Sequence, residues 1–325
     1  MNEPNAPLVV MYHYVWPDAA PVPQGIRPVM VSEFQRQLDW LERRYRILPA
    51  DGFLDAIREE HAGKPPCLLT FDDGTRDHAE VATPILARRG LSGLFFVLTW
   101  PVELKRMPLT HAVHWLLGRD EREVWQAFQD TALDNEGGLE ALGDPVEALR
   151  IYHYESPVRA RIKYAANMAL PPDVAERVVE RGIAAAGRSP EQLADEWFAT
   201  PRQIVAMRDA GMTIGLHGCS HRSLQVLGAD GIRAEIAHAS GYFESLLGER
   251  AGWFACPFGG TGASADAISA MHAAMRRFGI RGSVTTAKSV VPAGCDPWQI
   301  PRFDTIDLPP RKPFDAPVLP MRSAS

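Results

Sequence analysis

Short apolar runs alternate along much of this chain with longer stretches whose apolar positions keep helical spacing, and that alternation carries most of the structural information. Leu8 to His13 is an apolar, β-branched run and reads as a buried strand; Cys67 to Phe71 is another, stopped by Asp72-Asp73-Gly74; Gly93 to Leu98 is a third. Between them, Ser32 offers an N-cap for a helix through Tyr45 with Phe34, Leu38 and Leu41 on one face. Arg46 to Leu48 predicts a short strand, Asp51 to His61 a helix, and His78 to Arg89 a helix ended by Gly90.

From Pro101 to Trp197 the strand signal disappears and helical patterns take over, at Thr110 to Leu117, Glu121 to Leu133, Pro157 to Leu170 and Val174 to Ala186. Alternation resumes with a Thr200-Pro201 helix start running to Ala210 and a strand from Met212 to Leu216. Helix and strand pairs follow at Gly231 to Leu247 with Trp253 to Ala255, and at Ser264 to Phe278 with Gly282 to Thr285; a last strand is expected around Gln299 to Phe303. Strands and helices in this order predict an α/β fold of parallel β/α units, wound as an open sheet or closed as a barrel. The expected division is 1–100 with 200–307 as one β/α domain, 101–199 as a helical insertion, and 308–325 as a proline-rich irregular tail. Ligands in either architecture gather at the carboxyl ends of the strands.

The chain has 325 residues, 46% of them apolar, enough for a sizeable core. Its net charge of −6 comes from interspersed acids and bases, which leaves no footprint for nucleic acid or an anionic membrane. The longest apolar runs, Leu8 to Met11 and Leu91 to Leu98, fall far short of the roughly 18 to 20 residues that span a bilayer. Met1-Asn2-Glu3-Pro4 opens no basic leader or apolar signal region, so a cytoplasmic protein is expected. Cys67, Cys219, Cys256 and Cys295 are widely spaced, which suits buried free thiols in a reducing compartment.

The candidate chemistry lies at two strand ends. Thr70-Phe71-Asp72-Asp73-Gly74 places two carboxylates where a strand turns through Gly; alone, they read equally as a solvated turn. His217-Gly-Cys-Ser-His221 follows the strand ending at Leu216, and residues four apart share a face on a helical turn, so both imidazoles can meet one ion. An i, i+4 His pair is often incidental, but at the same sheet edge as an Asp pair it becomes specific. Asp and two His as ligands leave a coordination position open, the arrangement of a catalytic site; if Asp73 is the ligand, Asp72 is free to act as base.

With these residues the sequence resembles the polysaccharide deacetylase (NodB homology) family. Asp72-Asp73 in its setting looks like the family's first motif, His217 to His221 with Leu224 the second, Phe254-Ala-Cys-Pro257-Phe258-Gly259 the third, and Tyr12-His13 the opening of one subgroup. The resemblance implies a distorted (β/α)7-type barrel, a divalent metal held by Asp73, His217 and His221 (zinc first, cobalt or nickel as alternatives), and Asp72 as base. It further implies Tyr12, Pro257, Phe258 and Gly259 at the substrate groove, and hydrolysis of the N-acyl group of an amino sugar.

Two departures stand out. Where many members place an Arg that orients the base, this chain has Ala255; Arg302 is the candidate replacement, with a surface pairing or a partnership with Asp304 as the plainer reading. No Leu-x-Leu-x-His pattern supplies a general acid near the C-terminus, and His13 is the candidate instead, against an ordinary hydrogen-bonded role. Cys219 as a ligand is disfavoured, and His111 with His114 is expected to pack or face solvent. The expected substrate is an amino-sugar-containing saccharide or sugar nucleotide made inside the cell, such as an intermediate of surface polysaccharide or O-antigen. A non-sugar amide or ureide, distinguished by pocket residues, and a non-catalytic carbohydrate-binding protein, distinguished by metal without turnover, are the alternatives.

Overall fold

The computed structural model describes residues 6–23, 25–59, 63–260 and 262–314. Its strands are β1 (Leu8–Tyr12), β2 (Val15–Trp16), β3 (Val29–Met30), β4 (Arg46–Ile47), β5 (Pro66–Phe71), β6 (Leu94–Val97), β7 (Thr213–Leu216), β8 (Trp253–Ala255), β9 (Gly282–Val284) and β10 (Phe303–Asp304). All but β2 and β3 join one eight-stranded sheet in the order β10-β1-β5-β6-β7-β8-β9, with β4 attached to β5. Every pairing in it is parallel. Ile300 bridges Val284 of β9, and Phe303 pairs with Val10 of β1, so the stretch 300–304 touches both ends of the sheet and draws it into a ring. Of the open sheet and the barrel that the alternation allows, this is the barrel, in the distorted form that the family resemblance implies.

Period-two alternation sorts the strand side chains. Leu8, Val10, Tyr12, Leu69 and Phe71 pack outward with α1 (Val31–Arg44), through Phe34, Leu38 and Leu41. Val9, Leu68, Leu94, Phe96, Trp253 and Val284 share a separate cluster, plugged by Phe53 and Leu54 of α2 (Ala50–Ala56). Asp72 follows Leu68 and Thr70 on that second, inward series. Its position is thus fixed by parity before any polar contact is made.

After β5 the chain forms a π-helical turn at His78–Ala82 and α3 (Thr83–Arg88). Between β6 and β7 it runs through α4 (Thr99–Leu104), α5 (Leu109–Leu116), α6 (Glu121–Leu133), α7 (Pro145–Ile151), α8 (Pro157–Tyr164), α9 (Pro172–Ala185) and α10 (Pro190–Trp197). Their apolar faces, including Val113, Phe128, Ile162 and Val178, form a third cluster. The barrel wall then continues with α11 (Pro201–Asp209), α12 (Leu224–Leu247) and α13 (Ala265–Arg277). Thr200 caps α11 in a reciprocal box with Gln203, as its sequence predicts. No helix among the described residues is long and apolar enough to cross a membrane.

Several expectations are corrected. Ser32 is not an N-cap: α1 starts at Val31, and the Ser32 amide and hydroxyl bind Asp18 at 2.9 and 2.6 Å instead. α2 ends at Ala56, and Glu60 and His61 lie outside the described residues. α12 starts at Leu224, seven residues before Gly231, with a kink at Gly228 (φ 63°) that hides the first turn from the helical pattern. The last strand is Phe303–Asp304, with Gln299 and Arg302 in the approach to it. The four cysteines are free, but Cys295 is partly exposed rather than buried. Of the expected irregular tail, residues 308–314 are described and carry no strand or helix; 315–325 lie outside.

Candidate active site

Asp72 continues the strand geometry of β5, its amide donating to the Tyr12 carbonyl at 2.9 Å. Asp73 then takes a left-handed conformation (φ 86°), followed by Gly74 (φ 74°). A Cβ at Gly74 would stand 2.6 Å from Val97 Cγ1, so only glycine lets the turn lie against β6. This reversal breaks the alternation, and two consecutive carboxylates enter one site.

The histidines arrive from β7. His217 extends the strand, its amide donating to the Val97 carbonyl at 3.1 Å. The segment to His221 is a loop with Gly218 (φ 76°) and His221 (φ 57°) both left-handed, not the helical turn that the i, i+4 spacing predicts. Glu235 of α12, buried beneath this loop, fixes its shape. Its carboxylate accepts the Cys219 amide at 2.8 Å, the Ser220 amide at 3.3 Å and the Ser220 hydroxyl. A Cβ at Gly218 would lie 2.7 Å from Glu235 Oε2. Cys219 is occupied here as well, its thiol donating to the Glu235 carbonyl at 3.3 Å.

Both imidazoles are oriented from behind. His217 Nδ1 donates to the Ala255 carbonyl at 2.8 Å, and His221 Nδ1 lies 3.2 Å from Thr110 Oγ1. Thr110 in turn donates its hydroxyl proton to Asn167 Oδ1 at 2.8 Å, so it accepts from His221. In the neutral form of both rings the proton therefore sits on Nδ1 and the lone pair on Nε2. Those Nε2 atoms face Asp73 Oδ1 at 3.4 and 3.3 Å, and Asp73 Oδ1 has no hydrogen-bond partner. With the rings neutral, one carboxylate oxygen and two nitrogens present lone pairs to one another. The edge of a tetrahedron of zinc ligands is about 3.3 Å for bond lengths of ~2.0–2.1 Å, so the donor set fits a small divalent cation in chemistry and spacing.

The ionisation states show a site poised for positive charge: burial works against the His217 imidazolium, but Asp73 and Asp72 raise its pKa above the ordinary value. Burial pushes the His221 imidazolium down, to about 3, because the attraction of Asp73 only partly offsets it, so this ring is neutral. Burial would raise Asp73, but His111, His217 and His221 around it win and hold it well below the usual carboxylate range. A buried anion that raises the pKa of one neighbouring imidazole attracts a cation, and an ion would compete with that proton.

Asp72 is engaged differently. Arg302 clamps it with two parallel bonds, Nη1 to Oδ1 at 2.7 Å and Nη2 to Oδ2 at 2.8 Å. The guanidinium is itself anchored on Thr70 Oγ1 at 3.1 Å and the Thr285 carbonyl at 3.0 Å, and both partners are almost wholly buried. Burial works against the Asp72 carboxylate, yet Arg302, with His217, holds its pKa below the ordinary value. Arg302 thus pairs with Asp72, and the alternative of a surface pairing or a bond to Asp304 is overturned. It lies over the Phe96 ring, which shares the sheet's interior cluster with Ala255.

The remaining candidates separate. His13 sits at the end of β1, partly exposed, its carbonyl held by His78 Nε2, and its ring is near enough to act electrostatically on Asp72 and His221. Phe258 packs edge-on against His221 with ring centres 4.9 Å apart. Pro257 is buried behind it, and Gly259 (φ 63°) lies against Thr286, which a Cβ there would strike. Tyr12 does not reach the site. It is fully buried on the outward face of β1, stacked on Phe71 and edge-on to Phe34, as the parity of its strand position requires. His111 also departs from expectation: it neither merely packs nor faces solvent, but brings Nε2 within 3.2 Å of Asp73 Oδ2. Thr110, His111 and Glu235 carry no sequence signal, since each is defined by a partner far along the chain.

Comparison with known proteins agrees with this geometry. Residues 165–279, which hold the His217–His221 and Pro257–Gly259 segments, match the family model described as polysaccharide deacetylase. Over that segment, about a third of the chain, the sequence is similar to the polysaccharide deacetylase family. This is a family of hydrolases that act on amide-bound and other acetyl groups. No curated protein matches the chain. Among solved structures, the deacetylase PplD of Streptococcus pyogenes in complex with acetate aligns with a TM-score of 0.54 at 16% identity, covering 92% of each chain. IcaB from Ammonifex degensii aligns with a TM-score of 0.54 at 18% identity, over 92% of this chain and 91% of that one. A de-N-acetylase from Aggregatibacter actinomycetemcomitans gives 0.50 at 15% identity, over 92% and 95%. At these identities the likeness is one of fold, and it extends through the helices between β6 and β7 as well as the barrel.

Proposed function

We propose that this chain is a divalent-metal N-deacetylase of an amino sugar, with Asp73, His217 and His221 as ligands and Asp72 as base. One observation carries the reading: two adjacent carboxylates have opposite surroundings. Asp72 has both oxygens tied to Arg302, whereas Asp73 Oδ1 faces two imidazole nitrogens whose neutral form presents a lone pair. Asp73, His217 and His221 would hold the ion, zinc by the donor set, which when bound would supply polarisation of the acyl carbonyl and a lowered pKa for water. Asp72, kept ionised and fixed in orientation by Arg302, takes the proton from the attacking water. His13, at the same strand-end surface, hands a proton to the departing amine, and the products are a free amine and a carboxylate. Phe258 and Gly259 shape the wall beside His221.

We infer an acetamido group, in line with the acetate named in the PplD complex, on a saccharide or sugar nucleotide. A precursor of surface polysaccharide or O-antigen made inside the cell is part of the same proposal; the four free thiols suit a reducing compartment. The test pairs metal analysis with acetate release from acetamido-sugar oligosaccharides and nucleotides. Wild type is expected to carry one zinc-class ion per chain and His217→Ala none. Asp72→Asn is expected to keep the ion and lose about 10²–10⁴ in turnover. Wild type that takes up no zinc, cobalt or nickel, or Asp72→Asn with undiminished turnover, would sink the reading.

A further inference from the structure

The helices between β6 and β7 reach the metal site through two consecutive residues of α5. Thr110 and His111 are both buried, and successive residues on a helix point about 100° apart, so the pair diverges onto two different groups. Thr110 Oγ1 lies 3.2 Å from His221 Nδ1. Its own proton goes to Asn167 Oδ1 at 2.8 Å, and Asn167 Nδ2 donates to the Tyr152 hydroxyl at 3.3 Å. This buried chain leaves Thr110 with one open function, to accept the His221 Nδ1 proton, and that turns Nε2 toward Asp73.

His111 takes the other side. It has no solvent exposure, and neither ring nitrogen has a well-aligned hydrogen-bond partner. A buried imidazole must place its N–H somewhere. Asp73 Oδ2 stands 3.2 Å from Nε2 and is the carboxylate oxygen other than the one facing His217 and His221. The ring is wedged edge-on against Phe198, with centres 4.9 Å apart, and 5.6 Å from the His221 ring. His111 does not qualify as a fourth ligand. Among the described residues, the candidate ligand atoms lying within 4.8 Å of one another come from Asp73, His217 and His221 alone. Donors of one zinc ion are separated by at most about 4.2 Å, twice the metal–nitrogen bond length.

We propose that Thr110 and His111 are positioning residues of the metal centre, Thr110 fixing the tautomer and rotation of His221 and His111 fixing the carboxylate of Asp73. Ion affinity at a site built by β5 and β7 is thereby set by a helix outside the barrel. The inference rests on the reading of Asp73, His217 and His221 as ligands. Groups that orient metal ligands typically change affinity about 10–100-fold when removed.

The experiment is zinc titration of the full chain in competition with a chromophoric chelator, with thermal melting of each apo protein alongside and cobalt(II) absorption as a report on ligand number. Thr110→Val and His111→Leu are expected to bind zinc about 10–100-fold more weakly than wild type while the cobalt bands keep their shape. Thr110→Ser, which restores the hydroxyl, and His111→Gln, which restores an N–H, are expected to recover most of the loss even where the apo melting temperature has shifted. Wild-type affinity in both Thr110→Val and His111→Leu overturns the proposal. So does a cobalt spectrum that changes ligand number in His111→Leu, since His111 would then be a ligand itself, and so does equal loss in the conservative and the disruptive variants. Failure of wild type to bind zinc at all, or binding undisturbed by His217→Ala, refutes instead the ligand assignment beneath it.

Discussion

Arg302 and Asp72 are both nearly inaccessible to water, and the pair is bidentate, so the guanidinium compensates a charge that the barrel interior would otherwise reject. Removing one partner of a buried ion pair strands the other at a cost of about 3–5 kcal/mol. Arg302→Met is therefore expected to lower unfolding free energy by that amount in denaturant titration and to drop turnover toward that of Asp72→Asn, with metal content retained. Arg302→Met with wild-type stability and turnover would show that the clamp is ornamental. The Asp72-Asp73 and His217-His221 pairs were legible in the sequence because each is a local pattern ending a strand. Arg302, Thr110, His111 and Glu235 were legible at most as candidates: an Arg is a clamp only once folding places it on an Asp 230 residues away.

Among the elements, β2 is held to the turn after β5 by one strap, Asp77 Oδ2 accepting the Val15 amide at 2.7 Å. Burial raises the Asp77 pKa above the usual carboxyl value, although His78 and the Val15 amide pull the other way. From the unfolded-state pKa up to that raised value the native chain binds more protons than the unfolded one, so this group's contribution to stability falls as pH rises. Asp77→Asn keeps an acceptor for Val15 and loses the titration. The stability of the variant relative to wild type, from urea unfolding, is expected to be higher at pH 7 than at pH 4; a pH-independent difference would contradict it. Alternating apolar runs made the barrel strands and outer helices readable. α4 and α7 escaped the reading at 6 and 7 residues, where helical periodicity barely stands clear of a loop; α10 escaped at 8, although α5 of equal length was read. The π-helical turns at His78–Ala82 and Ala165–Ala169 are a change of hydrogen-bond step that apolar spacing does not register.

Across the whole molecule, the proposed ligands come from positions 73, 217 and 221, and the groups behind them from 110, 111, 235 and 255, so an ion at this site would bind only the assembled chain. Zinc at a thousandfold its dissociation constant is expected to add about 4 kcal/mol to unfolding, and a chelator to lower the melting temperature correspondingly. A melting curve indifferent to chelator would argue that the site is empty or unformed in solution. The stretch 300–304 that closes the ring has a further consequence for how the protein is made. During synthesis β1 and β5 emerge early, but the strand that flanks β1 and the guanidinium that neutralises Asp72 emerge about 230 residues after the carboxylate. Until then the nascent barrel is open along one seam and carries an uncompensated anion in its interior, a state that long-range closure must wait out. Barrel closure and the neutralisation of Asp72 are the same event, so under the proposed mechanism a chain stalled short of Arg302 has no prospect of turnover.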